Sequence, residues 1–353
     1  MSITKTNHVK MVGIAVTLPK NKASVHSYNK GHFETSEIET ISKTVGVQTL
    51  YEATPNQTAS DFCLNSAEKL IDDLGWSKDS IDGLIFASQT PDYIAPATSS
   101  IMQNRLGLST DCITFDINFG CTGFLNGMLM ASNFIELGTC KRVLVLVGDT
   151  LRRLSSEKDN SLHFILSDAG SAVAFEYTEE CIPMSIAMHS DGSGYEGLMV
   201  PAGGARLPKS NETCIMKDVG NGNYRSDDNY LMDGMSIFTF AIKNAPKAIN
   251  EIIDIHGWDK NSVDKYFLHQ ANAYMVKYIT KRAKIDIDLC PINIDKYGNT
   301  NGTTIPLLLL DYFSDSNNDN AINAVLCAFG VGLSWGAVAV RLEKIICSEI
   351  QYI

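Results

Sequence analysis

Leu74-Gly-Trp-Ser-Lys-Asp-Ser-Ile-Asp82 returns later in the chain as His256-Gly-Trp-Asp-Lys-Asn-Ser-Val-Asp264. The two tryptophans, Trp76 and Trp258, stand 258 − 76 = 182 residues apart. Their surroundings repeat as well. A helical pattern precedes each Gly-Trp, at 60–74 and 237–255, and an apolar strand follows each, at 83–87 and 265–269. Further on, the turn Gly120-Cys121-Thr122 has its counterpart in Gly298-Asn299-Thr300, and the strand at 143–147 has its own at 324–328. Four features in the same order, offset by 178 to 182 residues, indicate two similar halves, 1–180 and 181–353. Each half mixes strands and helices, which predicts an α/β protein with mixed sheets covered by helices. Two such halves packed about a pseudo-twofold axis bring equivalent turns together. Cys121 and Asn299 are then expected to converge, with His269 arriving on the strand end of the second half.

Cys121 follows the β-rich stretch that ends at Gly120 and precedes an amphipathic helical pattern at 124–137. A cysteine at a helix N-terminus meets the positive end of the dipole and free N–H groups, which favours thiolate over thiol. Gly120 and Gly123 let the backbone turn sharply and leave the sulfur approachable. The plain alternative is a buried structural cysteine. His269 opens His-Gln-Ala-Asn272 after an apolar strand, and alone it reads as a core histidine. Asn299 alone reads as a turn residue. The glycine-rich run Phe329-Gly-Val-Gly-Leu-Ser-Trp-Gly336 makes either a sheet corner or a backbone N–H aimed at an oxyanion.

Composition narrows the classes. The 353 residues are 44% hydrophobic and 20% charged, as in an ordinary globular enzyme. No run approaches the roughly 18 apolar residues of a membrane span, and the first ten residues lack the apolar core of a signal peptide. Nine cysteines without a C-x-x-C pair or zinc spacing predict free thiols, no metal and a cytoplasmic location. A net charge of −11 speaks against nucleic acid. An acidic partner would have to be met by a local basic patch.

Taken together, Asp-Ile-Asn-Phe-Gly-Cys121-Thr-Gly-Phe, His269-Gln-Ala-Asn272, Gly298-Asn299-Thr300 and Ala328-Phe-Gly-Val-Gly-Leu-Ser-Trp-Gly336 resemble β-ketoacyl-acyl carrier protein synthase III nearly from end to end. The resemblance implies the thiolase fold in αβαβα layers, a homodimer and an acyltransferase of fatty acid or related synthesis, with no cofactor. It implies acyl transfer to Cys121, an oxyanion held by the backbone N–H groups of Cys121 and Val331, and decarboxylative condensation with malonyl on acyl carrier protein. His269 Nε2–H and the Asn299 amide would donate to the enolate. Gly234, Phe238, Ala271 and Asn272 match positions that line the family's pantetheine tunnel. Phe238 also reads as simple wall packing.

Departures from the family pattern bear on the substrate. Counting back from Gly46 and Asp168 puts Thr40 and Asn160 where relatives often clamp the coenzyme A adenine with a tryptophan and an arginine. A phosphopantetheine thioester on carrier protein is therefore the expected donor, with acyl-coenzyme A a second one. Ala95 stands where a phenylalanine often reaches across the dimer to close the partner's acyl pocket, which leaves more room unless Tyr93 or Ile94 refills it. Lys277, Lys281 and Lys284 recur at helical spacing beside Arg282, either a solvated face or a dock for an acidic carrier protein. Tyr274 replaces an arginine common there in the family. The rival readings are transfer of the acyl group to an amine or alcohol, a Cys–His–Asn hydrolase and a non-catalytic carrier-binding protein.

Overall fold

The computed structural model describes residues 2–29, 31–315 and 320–353. Its α-helices are α1 (Thr35–Val45), α2 (Ala59–Leu74), α3 (Thr98–Leu106), α4 (Gly123–Glu136), α5 (Gly234–His256), α6 (Ala273–Ala283), the single turn α7 (Ile294–Tyr297) and α8 (Thr304–Phe313). Among the described residues no helix is long and apolar enough to cross a membrane.

Two large sheets carry most of the strands, beside three two-stranded ones, and the two large sheets repeat one another. In the first, the strands run in the order Val9–Leu18, Ala169–Tyr177, Arg142–Asp149, Gly83–Ala87, Ile113–Ile117. The second runs Met184–Ser190, Ser334–Leu342, Ile322–Gly330, Lys265–Leu268. In each, the first two pairings are antiparallel and the third is parallel. The chain ends cross over. Ser2–Thr6 joins the second sheet beside Met184–Ser190, while Ile346–Cys347 and Gln351–Tyr352 pair with Val9–Leu18 in the first.

The Gly-Trp repeat has one local structure in both copies. α2 and α5 each end at a glycine in the left-handed region, Gly75 at φ 62° and Gly257 at φ 80°, where a side chain would be strained. Each glycine N–H bonds back to a carbonyl of the last turn, and a short 3-10 turn then leads into the parallel strand.

The layers follow from which faces are apolar. α4 and α8 are sandwiched between the sheets, where Phe124, Met128, Ile305 and Leu309 meet Val145 and Val173 from one sheet and Leu326 and Val338 from the other. Each such side chain contributes on the order of 1.5–3 kcal/mol by leaving water. α2 and α3 cover the outer face of the first sheet, and α5 and α6 that of the second. The result is an α/β protein in αβαβα layers. Both central helices start at a turn on the same edge of the sandwich, α4 just after Cys121 and α8 just after Asn299 to Thr303.

Candidate active site

Cys121, His269, Asn299 and Val331 line a single cavity of about 210 Å³, together with Gly234, Phe238, Ala271 and Asn272. Its walls are mostly apolar, with Leu151, Leu162, Leu166, Met232 and Met275 among them. All eight residues that the sequence placed at the nucleophile, the oxyanion, the polar pair and the tunnel therefore come together.

The turns approach so closely that only glycine fits between them. An ideal Cβ at Gly302 would lie 2.9 Å from the Gly120 carbonyl oxygen, and one at Gly330 would lie 2.6 Å from Cys121 Sγ. Thr122 Oγ1 meets Ser334 Oγ at 2.7 Å, and Ser334 donates to the Val331 carbonyl at 2.9 Å. This ties the glycine-rich segment to the cysteine turn. The backbone N–H groups of Val331 and of Cys121 itself both point at the sulfur.

The protonation state of Cys121 differs from the sequence expectation. Burial pushes its thiol up to about 12, the two N–H groups offset this only in part, and the charge of Asp149 adds to it. α4 begins at Gly123, two residues beyond Cys121, so the cysteine precedes the first turn of the helix. The resting group is a thiol.

His269 follows the strand Lys265–Leu268, its N–H bonded to the Cys327 carbonyl at 2.9 Å. Burial lowers its imidazole to about 3, a shift the Asn301 backbone offsets only in part, so the ring is neutral at working pH. Nδ1 lies 2.7 Å from Thr304 Oγ1, whose single hydrogen is also in reach of the Asn301 carbonyl at 2.9 Å. A ring hydrogen on Nε2 requires that hydrogen to turn from the Asn301 carbonyl, to which Thr304 donates, towards Nδ1. This is the tautomer that can donate to an enolate oxygen.

Asn299 is pinned to the first half of the chain from both sides. Its N–H donates to the Ile165 carbonyl at 2.8 Å, and its carbonyl accepts from Ser167 N–H at 2.9 Å. Gly298, at φ 68°, makes the turn possible, since a Cβ there would lie 2.7 Å from Leu50 Cδ2 and 3.0 Å from the Ile165 carbonyl oxygen. The side-chain Oδ1 of Asn299 accepts from Asn301 N–H at 2.9 Å, which reserves its NH₂ group for the cavity.

A polar cluster behind Cys121 was not anticipated from the sequence. Asp149 is 1% exposed. It accepts from Gln89 N–H at 2.8 Å, Ser88 Oγ at 3.2 Å and Asn301 Nδ2 at 2.7 Å. Burial, which these bonds only partly offset, pushes its carboxyl up to about 7. Asn301 Nδ2 also donates to Gln89 Oε1 at 3.2 Å, and Tyr230 Oη donates to the same oxygen at 3.0 Å. An aspartate ending the apolar run Val143-Leu-Val-Leu-Val-Gly-Asp149 and an Asn-Gly pair at 301–302 were the available signals.

Several sequence candidates lie elsewhere. Ala95 is exposed and does not line the cavity of its own chain, and its neighbours Tyr93 and Ile94 are exposed as well. They therefore do not refill the acyl space within one chain. Lys277 and Lys281 stand exposed on α6. Arg282 turns from them into a groove shared with Lys243 and Lys247 of α5. Thr40 is exposed on α1, and Asn160 donates to Glu37 of the same helix at 2.7 Å, one turn before Thr40. Tyr274 stacks on Phe238, ring centroids 5.7 Å apart.

The chain matches two family models. Residues 115–192 match 3-oxoacyl-[acyl-carrier-protein] synthase III, and residues 253–342 match its C-terminal part. It is 31% identical over 335 residues to β-ketoacyl-[acyl-carrier-protein] synthase III of Clostridioides difficile strain 630, covering 94% of this chain and 97% of that protein. The enzyme of the same name from Clostridium perfringens strain ATCC 13124 is 30% identical, with 95% and 99% covered. The crystal structure of 3-oxoacyl-(acyl-carrier protein) synthase from Burkholderia xenovorans LB400 superimposes with a TM-score of 0.93 at 32% identity, over 100% of this chain and 99% of that one.

Proposed function

The chain belongs to the 3-oxoacyl-[acyl-carrier-protein] synthase III family, and on that premise we propose that Cys121, His269 and Asn299 divide its condensing reaction between them. In the first half-reaction Cys121 Sγ attacks the carbonyl carbon of an acyl thioester as its proton departs. The oxyanion is held by the N–H groups of Cys121 and Val331, and its collapse expels the donor thiol, which takes up the proton. In the second, malonyl thioester on acyl carrier protein loses carbon dioxide. The electron pair of the broken C–C bond passes into an enolate, whose oxygen accepts from His269 Nε2–H and the Asn299 NH₂ group. The enolate carbon then attacks acyl-Cys121, the C–S bond breaks with its electron pair passing to Cys121 Sγ, which takes a proton from water, and the product is a β-ketoacyl thioester.

The observation that carries this reading is the geometry around the sulfur. Two N–H groups face Cys121, while a neutral imidazole and an amide with its NH₂ group free line the same cavity. The division of labour runs along the two halves, with the nucleophile from 1–180 and the polar pair from 181–353. Gly234, Phe238, Ala271 and Asn272 form the arm's path. Lys277, Lys281 and Arg282 receive the carrier protein, carrier-bound donors are preferred over acyl-coenzyme A, and the working form is a cytoplasmic homodimer.

Intact mass and carbon dioxide release separate the roles. Cys121→Ala should show no acyl adduct. His269→Ala and Asn299→Ala should still acquire one, while carbon dioxide release falls by about 10²–10³, the usual cost of losing one positioned donor. Undiminished decarboxylation in both variants would sink the condensing roles and favour transfer of the acyl group to an amine or alcohol.

A further inference from the structure

We propose that Asn301 is a positioning residue for the polar pair, anchored by Asp149, and that this anchoring governs the decarboxylating step rather than the acylation of Cys121. The inference rests on the roles assigned above to His269 and Asn299. Asn301 touches Asn299 directly through its main chain and reaches His269 by way of Thr304. Its N–H donates to Asn299 Oδ1 at 2.9 Å, which decides that the amide presents NH₂ rather than oxygen to the cavity. Its carbonyl lies 2.9 Å from Thr304 Oγ1, the hydroxyl that meets His269 Nδ1. The residue stands at φ 55°, a conformation that asparagine, aspartate and glycine accept far more readily than other residues.

The side chain holds that backbone in place. Both amide hydrogens are used inside the protein, one on Asp149 Oδ2 at 2.7 Å and one on Gln89 Oε1 at 3.2 Å. Asp149 is held in turn by Gln89 N–H and Ser88 Oγ, and Asn301 is itself 2% exposed. A buried aspartate is costly to desolvate unless its donors are in place. Here they brace the turn that aims the Asn299 NH₂ group. The sulfur of Cys121 is held mainly by other groups, Val331 N–H and the Thr122–Ser334 pair, so loss of the Asn301 anchor should bear far more on the second half-reaction than on the first.

Asn301→Gly removes the anchor without straining the backbone. The acyl adduct on Cys121 should form at a rate within about twofold of wild type, while carbon dioxide release from malonyl carrier protein drops between about ten- and a hundredfold. Asp149→Asn should lower carbon dioxide release likewise, because its new NH₂ group would face that of Asn301; its adduct rate is no control, since the Asp149 charge also acts on the Cys121 thiol. Exchanging the partners, Asn301→Asp with Asp149→Asn, restores one donor facing one acceptor and should recover most of the decarboxylation. Hydrogen–deuterium exchange over 299–304 should quicken in Asn301→Gly and return in the exchanged pair. If the exchanged pair does not fold, Asn301→Gly alone decides. Equal losses of adduct and carbon dioxide in Asn301→Gly, or an exchanged pair that folds yet is no better than either single variant, would overturn the assignment. A wild-type enzyme that takes the acyl group yet releases no carbon dioxide would refute the condensing roles instead. The exchange measurement would still decide whether Asn301 braces the turn, and unchanged exchange in Asn301→Gly would refute it.

Discussion

Gly330 leaves no space for a side chain, since a Cβ there would lie 2.6 Å from Cys121 Sγ and 2.7 Å from its Cβ. Both contacts are with the nucleophile itself, so an added methyl group displaces the sulfur from the N–H groups of Val331 and Cys121. Gly330→Ala should fold but acylate at least tenfold more slowly, equivalent to about 1.4 kcal/mol of transition-state energy. Gly192→Ala, where nothing lies within 4 Å, is the matched control. Time-resolved intact mass with one acyl donor compares them, and an unchanged rate in Gly330→Ala would show that the turn yields. At this scale Cys121, His269 and Asn299 were legible because each ends an element with its own periodic pattern, and the repeat aligned the first with the third. Asp149 and Asn301 were not. Their significance is a contact across 152 residues, between the last residue of the strand Arg142–Asp149 and the turn that leads into α8, and no local pattern encodes it. The state of Cys121 was misread for a related reason, because sequence shows the helix that would stabilise a thiolate but not the enclosure that opposes it.

α5 and α6 pack on the second sheet through Ile249, Ile252, Val276 and Ile279, which leaves their outer faces to solvent. Spacing on α6 alone picks out Lys277 and Lys281 with Arg282 beside them. The fold adds what α6 cannot show, that Arg282 faces Lys243 and Lys247 across a groove. On a chain of net charge −11, two adjoining cationic surfaces flanking the helices that supply Gly234, Phe238 and Met275 to the cavity suit an acidic carrier protein. Charge reversal at Lys277 and Lys281 should slow reaction of carrier-bound thioesters by about tenfold at low salt and flatten the salt dependence, since exposed charges act through a screened field. Reversal at Lys243 and Lys247 measures the groove's own share. Turnover of a short pantetheine thioester should change by less than about twofold in either variant. Equal loss on both substrates would assign these residues to folding or to the cavity instead.

The strand Ile113–Ile117 ends the first sheet, pairing on one side only, and its Phe115 is 42% exposed. Near it in sequence, Ile94 is fully exposed and Tyr93 is 61% exposed. An open edge beside exposed large apolar side chains invites pairing with another chain, and a twofold copy of the same edge closes it without further growth. Sedimentation should therefore give a homodimer, and Phe115→Glu, which puts like charges together across the axis, should give a monomer. With a homodimer as the proposed working form, the donor preference is expected to belong to the dimer as a whole. Ala95 misses the cavity of its own chain, so it can shape an acyl pocket only in the neighbouring one. Each buried methylene is worth about 0.8 kcal/mol where there is room, roughly fourfold in selectivity. In the dimer, Ala95→Phe should accordingly move the optimum from medium or branched donors towards acetyl, measured as adduct rates for acetyl through decanoyl thioesters. In Phe115→Glu the same substitution should have no effect on chain length. A shift that persists in the monomer would place Ala95 in its own cavity after all, and a wild-type monomer would remove the dimer from the account of specificity.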